Sequence, residues 1–451
     1  MSYLATVSVL VFGLTLFLMI KRPKGINLGL AAGIGAVLSL VLGTVSIYDA
    51  IQSFIDIWDA ALAFVGIVAL SVALDAMGFF KWAALKVVKF SRCSGIRLYV
   101  YITLLTAAVS ILFSNDSAVL ILTPIVLEVI SEMKIGPDGR MAYLFSAGLI
   151  ADTAAMPLIT SNPVNILSAD FFHYSFIDHL IFMGPVAVVT LVSSFVIVYL
   201  FFRKKIPKAC SVELINTLEA TSQPISPPLL KVSIATLVAI DVGYVITSLN
   251  RLPVSLVICA GALFLIVVYW ATLKKEIVLK EERKGVRALA KEINWSILLF
   301  MISIFLVVQG LRHSGAIDIL ANAFINASGL PSLLSVLVPS LMVTAGASFM
   351  NNWPMTFMGL LSIRQVGIVS GVGVSNLTGL IFSNVIGNNL GPHFFPLGSL
   401  AILMWLDTMR RKGVRISIKE YLKVGAVLSI AEVSIASTIL WLELSFFGLR
   451  L

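Results

Sequence analysis

Charge is the scarcest thing in this chain. Asp, Glu, Lys and Arg make up 12% of its 451 residues, against 59% hydrophobic, whereas a soluble domain carries about 25% charge. That poverty excludes a water-soluble protein and leaves an integral membrane protein. Cysteine is scarce too. Cys93, Cys210 and Cys259 are scattered, with no CxxC, which excludes a disulfide framework and a thiolate cluster. Strict apolar and polar alternation is missing, which excludes an outer-membrane barrel. Helices remain, because every backbone polar group in a bilayer must be satisfied within its own span. HExxH and GxSxG are absent, and no midplane carboxylate falls in a GxGD motif, so the chain does not read as an enzyme. Nothing in it asks for a metal or a cofactor.

What the chain has is long apolar runs. A helix needs about 20 apolar residues to cross hydrocarbon. Runs at 3–20, 26–47, 59–80, 178–202, 229–250, 253–273, 294–311 and 424–447 read as single spans. Positive charges follow the first run and no A-x-A site appears, so it is expected as a retained helix and not a signal peptide. The run at 98–133 is too long for one helix and too short for two spans with a loop. It reads as a re-entrant hairpin folded at Ser114-Asn115-Asp116. The run at 316–363, with Asn351-Asn352 inside, reads the same way. Runs 141–168 and 366–408 carry Pro157, Pro163, Gly387, Gly391, Pro392 and Pro396 and read as helices broken within the membrane.

The expected fold is therefore all-α: about ten transmembrane helices, two of them broken, plus two re-entrant hairpins. With the first loop in the cytoplasm, 28 of the 32 Lys and Arg face the cytoplasm, and Arg251, Arg312, Arg364 and Arg450 face out. This asymmetry supports the topology, with both termini outside. It also accounts for the net charge of +9 without a nucleic-acid partner. The segment at 274–292 reads as an amphipathic linker on the cytoplasmic surface. Residues 1–202 form a first repeat, 203–228 a cytoplasmic linker and 229–451 a second repeat of opposite orientation. Weak echoes pair "ILFSND" (111–116) with "ASFMNN" (347–352) and "GLIADTAAMP" (148–157) with "GLIFSNVIGN" (379–388). They set Asp116 opposite Asn352, and Asp152 roughly opposite Ser383. Inverted repeats with breaks at the midplane are the signature of secondary transporters.

Four polar segments are expected to converge there: Asn115-Asp116 with Ser114; Asp152-Thr153 with Ser161, Asn162 and Asn165; Asn351-Asn352; and Asn384 with Asn388-Asn389. None contains Lys or Arg. Amides both donate and accept hydrogen bonds, which suits a small neutral polyol-like solute. The asparagines could equally satisfy backbone freed by the breaks. An ionisable residue inside a membrane is costly and a functional candidate by default. Asp116 and Asp152 are accordingly read as proton-coupling groups, against a plain helix-capping role for Asp116. Asp75, Asp241 and Glu432 also lie in spans; with no break beside them they read as packing-face residues. His393 is either a substrate contact or structural, and His173 and His179 read as solvated. Gly25, Gly29 and Gly33 form overlapping GxxxG patterns for close helix packing.

"SNDSAVLILTPIV", "GLIADTAAMPLITSNPVNILSADFF" and "NVIGNNLGPHFFPLGSLAILMWL", together with "MNNWPM" and "RISIKEY", resemble the bacterial ArsB-type arsenite efflux pumps along nearly the whole chain. More distantly, the chain is similar to the ion transporter superfamily. The resemblance implies an inner-membrane pump that exports trivalent arsenite, and usually antimonite, in exchange for protons; some relatives add a soluble ATPase subunit. It carries Asn115, Asp116, Asp152, Thr153, Asn162, Asn165, Asn352, Asn384, Asn388 and Asn389 over as motif positions. Two departures stand out. Family members often show Asn-Asp-Gly where this chain has Asn115-Asp116-Ser117, and Cys-Asp where it has Asn388-Asn389. The second removes a carboxylate from the second repeat. Arsenous acid is a neutral triol and fits an amide lining. The rival is a sodium-coupled carboxylate or sulfate transporter of the same superfamily.

Overall fold

A computed structural model describes residues 3–92, 94–208, 225–250, 252–274, 285–293, 295–369, 373–448 and 450–451. Among these residues the regular structure is entirely helical. The first half runs α1 (Tyr3–Lys21), α2 (Leu28–Val41), α3 (Ile47–Ala76), α4 (Phe79–Ser91), α5 (Gly95–Phe113), α6 (Asn115–Glu132), α7 (Pro137–Thr153), α8 (Pro163–Phe172) and α9 (Phe176–Phe202). The second runs α10 (Pro227–Leu249), α11 (Val254–Lys274), α12 (Val286–Glu292), α13 (Trp295–Gly310), α14 (Ala316–Ser328), α15 (Leu334–Met350), α16 (Asn352–Val369), α17 (Val374–Leu390), α18 (Leu400–Arg411) and α19 (Ile418–Phe446). Eight helical stretches among the described residues are long and apolar enough to cross a membrane. Large apolar side chains such as Leu10, Val37, Leu104, Val192, Val238 and Leu263 point outward, a surface suited to lipid and untenable in water.

The two halves share a register. From α4 to the start of α8, every helix start recurs at α14 to α18 with one offset except that of α5, of 237 residues (316 − 79, 352 − 115, 374 − 137, 400 − 163). Helix lengths match as well: 13 residues for α4 and α14, 18 for α6 and α16, 17 for α7 and α17. Gly78 (φ 84°) and Gly315 (φ 75°) make the same left-handed turn before the short helices, a conformation that glycine adopts without a steric penalty.

Both hairpins fold at a residue that is not glycine. Ser114 (φ 117°) and Asn351 (φ 85°) occupy the same place in the register, in a region that side chains seldom enter. Each then starts the next helix from its own side chain. Ser114 Oγ accepts from the Ser117 amide (3.3 Å), and Asn351 Oδ1 accepts from the Trp353 amide (3.2 Å). The break between α7 and α8 closes at Asn162, whose Oδ1 accepts from Val164 N (3.2 Å), with Pro163 in the first turn. Proline is favoured there because its missing N–H has no helical partner to lose. Asn165 Nδ2 donates to the freed carbonyls of Ala155 (2.9 Å) and Leu158 (3.1 Å). In the second half Ser399 takes the place of Asn162 and caps α18.

Several boundaries differ from the sequence reading. The run at 316–363 holds three helices, not one hairpin. α14 is a separate amphipathic helix, and the hairpin is α15–α16, which continues to Val369. The broken helix placed at 366–408 is α17–α18, with its break at 391–399. The basic segment between the apolar runs at 59–80 and 98–133 is mostly α4, which buries Phe80, Ala84 and Val88. The register also shifts the hairpin echo by one residue: Asn115, not Asp116, lies opposite Asn352. Asp152 lies opposite Asn389, not Ser383. Of the three glycines, Gly29 makes the close approach, since a Cβ there would meet the Ser296 carbonyl at 2.3 Å; Gly25 instead sits in a left-handed turn. Most of the linker at 203–228 and of the segment at 274–292 lies outside the described residues, as do Cys93 and Cys210.

Candidate functional site

The hairpin tips and the helix breaks meet in the interior. In the first half, Asn115 Nδ2 donates to Asp152 Oδ1 at 2.7 Å, tying the α5–α6 tip to the end of α7. The same amide's Oδ1 accepts from Asp116 N (2.9 Å). Asp116 is 5% exposed and Asp152 2%, and they are close enough for their charges to interact. In the second half, Asn351 Nδ2 donates to the Leu397 carbonyl (3.1 Å), tying the α15–α16 tip to the 391–399 break.

Three asparagines bridge the halves. Asn162 Nδ2 donates to Asn389 Oδ1 (2.9 Å), and Asn389 Nδ2 donates to Asn165 Oδ1 (2.8 Å). All three side chains are buried. Asn384 and Asn388 bond within α17: Asn388 Nδ2 reaches the carbonyl (2.8 Å) and Oδ1 (2.9 Å) of Asn384. Asn352 Oδ1, Asn384 Nδ2 and Asn388 Oδ1 are buried without a hydrogen-bond partner. That is unspent capacity, since a buried polar group left unpaired costs about 1–3 kcal/mol.

One residue set aside by sequence reasoning joins this site. Glu432 of α19 is fully buried, and His393 Nδ1 lies 2.6 Å from its Oε2. Its Oε1 accepts from Thr153 Oγ1 (2.6 Å) and from Ser194 Oγ of α9. His393 Nε2 lies 3.9 Å from Asp152 Oδ2. Thr153 thus belongs to the carboxylate network, and Glu432 is no packing-face residue. The default suspicion owed to any carboxylate inside a membrane would have found it. His179 is also misplaced by the sequence reading. It is buried, with Nε2 2.9 Å from the Met156 carbonyl of the first break and Nδ1 3.3 Å from the Tyr174 hydroxyl. His173 is exposed.

A cavity of about 840 Å3 runs beside α8. Its lining includes Ile159 of the first break, Asp59, Asp170, Tyr174 and Arg364. Asp59 accepts from Val254 N (3.3 Å) and Ser255 N (3.1 Å), capping α11. The cavity therefore touches the first break and does not lie between the hairpin tips. Chemically, the site offers amide donors and acceptors, the carboxyl groups of Asp116, Asp152 and Glu432, and the imidazoles of His393 and His179. The termini of α6, α8, α16 and α18 that start at the breaks contribute partial positive charge.

Residues 7–444 match the family described as arsenical pump membrane protein. The arsenical pump membrane protein of Escherichia coli (strain K12) is 36% identical over 97% of this chain and 98% of its own length. That of Yersinia enterocolitica is 35% identical over 96% and 98%. Among solved structures, the YdaH transporter of Alcanivorax borkumensis aligns with a TM-score of 0.57 at 14% identity, covering 88% of each chain. MtrF of Neisseria gonorrhoeae, described among antimetabolite efflux pumps, aligns at 0.52 and 12% identity, covering 89% of this chain and 84% of its own. At those identities the two structures speak for the fold alone.

Proposed function

Because this chain belongs to the arsenical pump membrane protein family and is a multi-pass membrane protein, we propose that it exports arsenite, as neutral arsenous acid, and antimonite across the bacterial inner membrane in exchange for protons. The observation that carries this reading is the amide bridge Asn162–Asn389–Asn165, built from both halves and free of Lys and Arg. A triol presents three hydroxyls, each able to donate and accept. The unpartnered buried atoms of Asn352, Asn384 and Asn388 offer matching acceptors and donors. A thiolate trap would bind As(III) too tightly for release, since soft ligands favour soft metalloids. Cys259 stands instead on α11, its thiol 3.5 Å from the Leu62 carbonyl.

Residues 1–202 and 229–451, joined by 203–228, act as oppositely oriented repeats with both termini outside. The shared 237-residue register and the 28-to-4 charge split support that arrangement. Asn115, Asn162, Asn165, Asn351, Asn352, Asn384, Asn388 and Asn389 shape the substrate site, and Asp116 and Asp152 carry the proton. Arsenous acid enters from the cytoplasm, the breaks shift against the rest of the bundle, and the solute leaves outside. An external proton then binds the carboxyl pair, and the protonated carrier returns. One proton moving down 100 mV releases about 2.3 kcal/mol, which sustains an accumulation ratio of about fiftyfold for a neutral solute.

Everted membrane vesicles test this. Arsenite should accumulate when a proton gradient is imposed and sodium is absent. Asp116→Asn should abolish that accumulation. Accumulation that follows sodium instead would move the chain to the carboxylate and sulfate carriers, and a mutant equal to the native chain would remove Asp116 from the coupling.

A further inference from the structure

We propose that His393, positioned by Glu432, exchanges the coupling proton with Asp152, so that the carboxyl pair of the first half is loaded and unloaded through a base supplied by the second. The proposal rests on proton-coupled arsenite export and adds the group that loads and unloads the acid.

The geometry around Glu432 is complete on one side and open on the other. Thr153 Oγ1 and Ser194 Oγ both donate to Oε1, and His393 Nδ1 lies 2.6 Å from Oε2. Each hydroxyl also reaches a carbonyl of its own helix (Leu149 O at 3.2 Å, Thr190 O at 2.7 Å); with both protons turned to Oε1, Glu432 is a carboxylate acting as acceptor alone. With Nδ1–H spent there, the ring cannot rotate, and Nε2 is aimed at Asp152. Nε2 of His393 and Oδ2 of Asp152 are both buried, both without a hydrogen bond, and 3.9 Å apart. The Leu149 carbonyl and the Ser399 side chain stand near enough to interact with the ring and with Asp152 respectively, but neither closes a hydrogen bond of good geometry with these two atoms. Two orphaned polar atoms facing one another are costly in a fixed structure. They make sense in one that closes the gap during its cycle.

The step balances. The Nε2–H bond breaks and an O–H bond forms at Asp152 Oδ2. An imidazolium and a carboxylate become a neutral imidazole and a carboxylic acid, while Nδ1 keeps its proton and goes on donating it to Glu432. At 3.9 Å the pair stands about 1 Å beyond hydrogen-bond distance, so transfer waits until the 391–399 break approaches α7. Movement of one half against the other thus gates the proton. The titratable groups packed around the ring are Asp152 from α7, Asp116 behind it on α6, and Glu432 and Tyr421 from α19. From α15 comes the neutral Ser348, which donates to the Gly391 carbonyl (2.8 Å).

The relay exists once. In the 237-residue register His393 lies opposite Met156, and Asp152 opposite Asn389. Matching the capping boxes at Ser175 and Ser417, which open α9 and α19, sets Glu432 opposite Thr190. The first half therefore supplies the acid, and the second supplies the base with its orienting carboxylate.

Everted vesicles separate the two levels of the proposal by comparing gradient-driven arsenite accumulation with arsenite exchange at equal concentrations and no gradient. Native vesicles that fail to accumulate under a proton gradient overturn the export reading and the relay with it. If they accumulate, His393→Gln and Glu432→Gln should lower the initial rate of gradient-driven accumulation by about a hundredfold, the scale of a lost acid–base group, while exchange falls less than about tenfold. The variants should also lose one limb of the native pH profile. Variants that accumulate like the native chain, or that lose exchange as fully as accumulation, overturn the relay alone. A measurement on the unaltered protein guards against misfolding. With 15N-labelled histidine, the buried His393 Nε2 signal should shift between protonated and neutral positions when arsenite is added, and a signal that stays fixed sinks the proposal.

Discussion

Asp152 and Asn389 occupy the same position in the two broken helices, and each reaches into the break of the other half. Asp152 faces His393 of the second break across 3.9 Å. Asn389 accepts from Asn162 and donates to Asn165 in the first (2.9 and 2.8 Å). One crossing contact can carry a charge and the other cannot. The pair divides the labour that a strictly symmetric repeat would duplicate, with coupling on one arm and uncharged recognition on the other.

The two arms should fail differently. Asp152→Asn keeps an acceptor for Asn115 Nδ2 and should fold, but the initial rate of gradient-driven arsenite accumulation should fall by about a hundredfold. Asn389→Ala strands Asn162 Nδ2 and Asn165 Oδ1 in the interior, at about 1–3 kcal/mol for each unpaired group. Its melting temperature in detergent should drop, and half-saturating arsenite should rise in exchange assays. Equal melting temperatures for Asn389→Ala and the native chain would contradict a closed amide bridge.

The hairpin tip offers a test of backbone strain. Ser114 holds φ at 117°, where a β-branched residue is disfavoured by about 1–3 kcal/mol and glycine is at ease. Ser114→Val should lower thermal stability by that amount and reduce transport. Ser114→Gly relieves the strain while losing the cap on Ser117 N (3.3 Å), so its stability should stay within about 1 kcal/mol of the native chain. Differential scanning fluorimetry on the purified variants reads both.

Much of this was legible in the sequence, and the failures share a cause. Ser114-Asn115-Asp116 and the proline-marked breaks stood out because polar residues and Pro interrupt apolar runs. α14 did not, because its buried apolar face (Ile317, Ala321, Phe324) and a connection of only a few residues after Ser328 keep the run apolar on average from Ala316 into the next hairpin. The one-residue slip in the hairpin echo arose from matching Phe113 with Phe349 by identity; the backbone aligns the residues of positive φ instead. Beyond the bare charge within a span, Glu432 gave no local signal, because its partners, Thr153, Ser194 and His393, come from three other elements. Long-range pairing of that kind is invisible to a window along the chain.

Two glycines should mark where the moving parts touch. A Cβ at Gly359 would lie 2.1 Å from Asn384 Oδ1, and one at Gly148 2.5 Å from a ring carbon of Trp405. Overpacking of this kind costs about 1–3 kcal/mol. Gly359→Ala should also push Asn384 away from Asn388, so substrate affinity and stability should fall together. Gly184→Ala is the control, since the nearest atom to its Cβ is the flexible end of Leu180 at 3.5 Å. Because Ala is the better helix former, that variant should keep or gain up to about 1 kcal/mol of stability; a loss equal to the other two would show that the close contacts at Gly359 and Gly148 do not set the cost.

The start of α19 gives a prediction with a defined pH dependence. Glu420 accepts from Ser417 N (2.9 Å) and Oγ (2.8 Å), and Ser417 Oγ accepts from Glu420 N (3.2 Å). These bonds hold the exposed Glu420 carboxyl below its usual value. A carboxyl whose folded value is depressed contributes stability above its unfolded value, and that contribution is lost as pH falls through the folded one. Ser417→Ala should therefore destabilise the protein at pH 7 by about 0.5–1 kcal/mol, the low end for a solvent-screened cap. The difference from the native chain should shrink steadily in unfolding measurements taken below the usual glutamate range. Glu432 lies roughly 18 Å further along the helix axis, so fraying of this first turn should leave gradient-driven accumulation intact. A Ser417→Ala chain whose deficit is the same at acidic and neutral pH would show that the serine acts through packing and not through its bonds to Glu420.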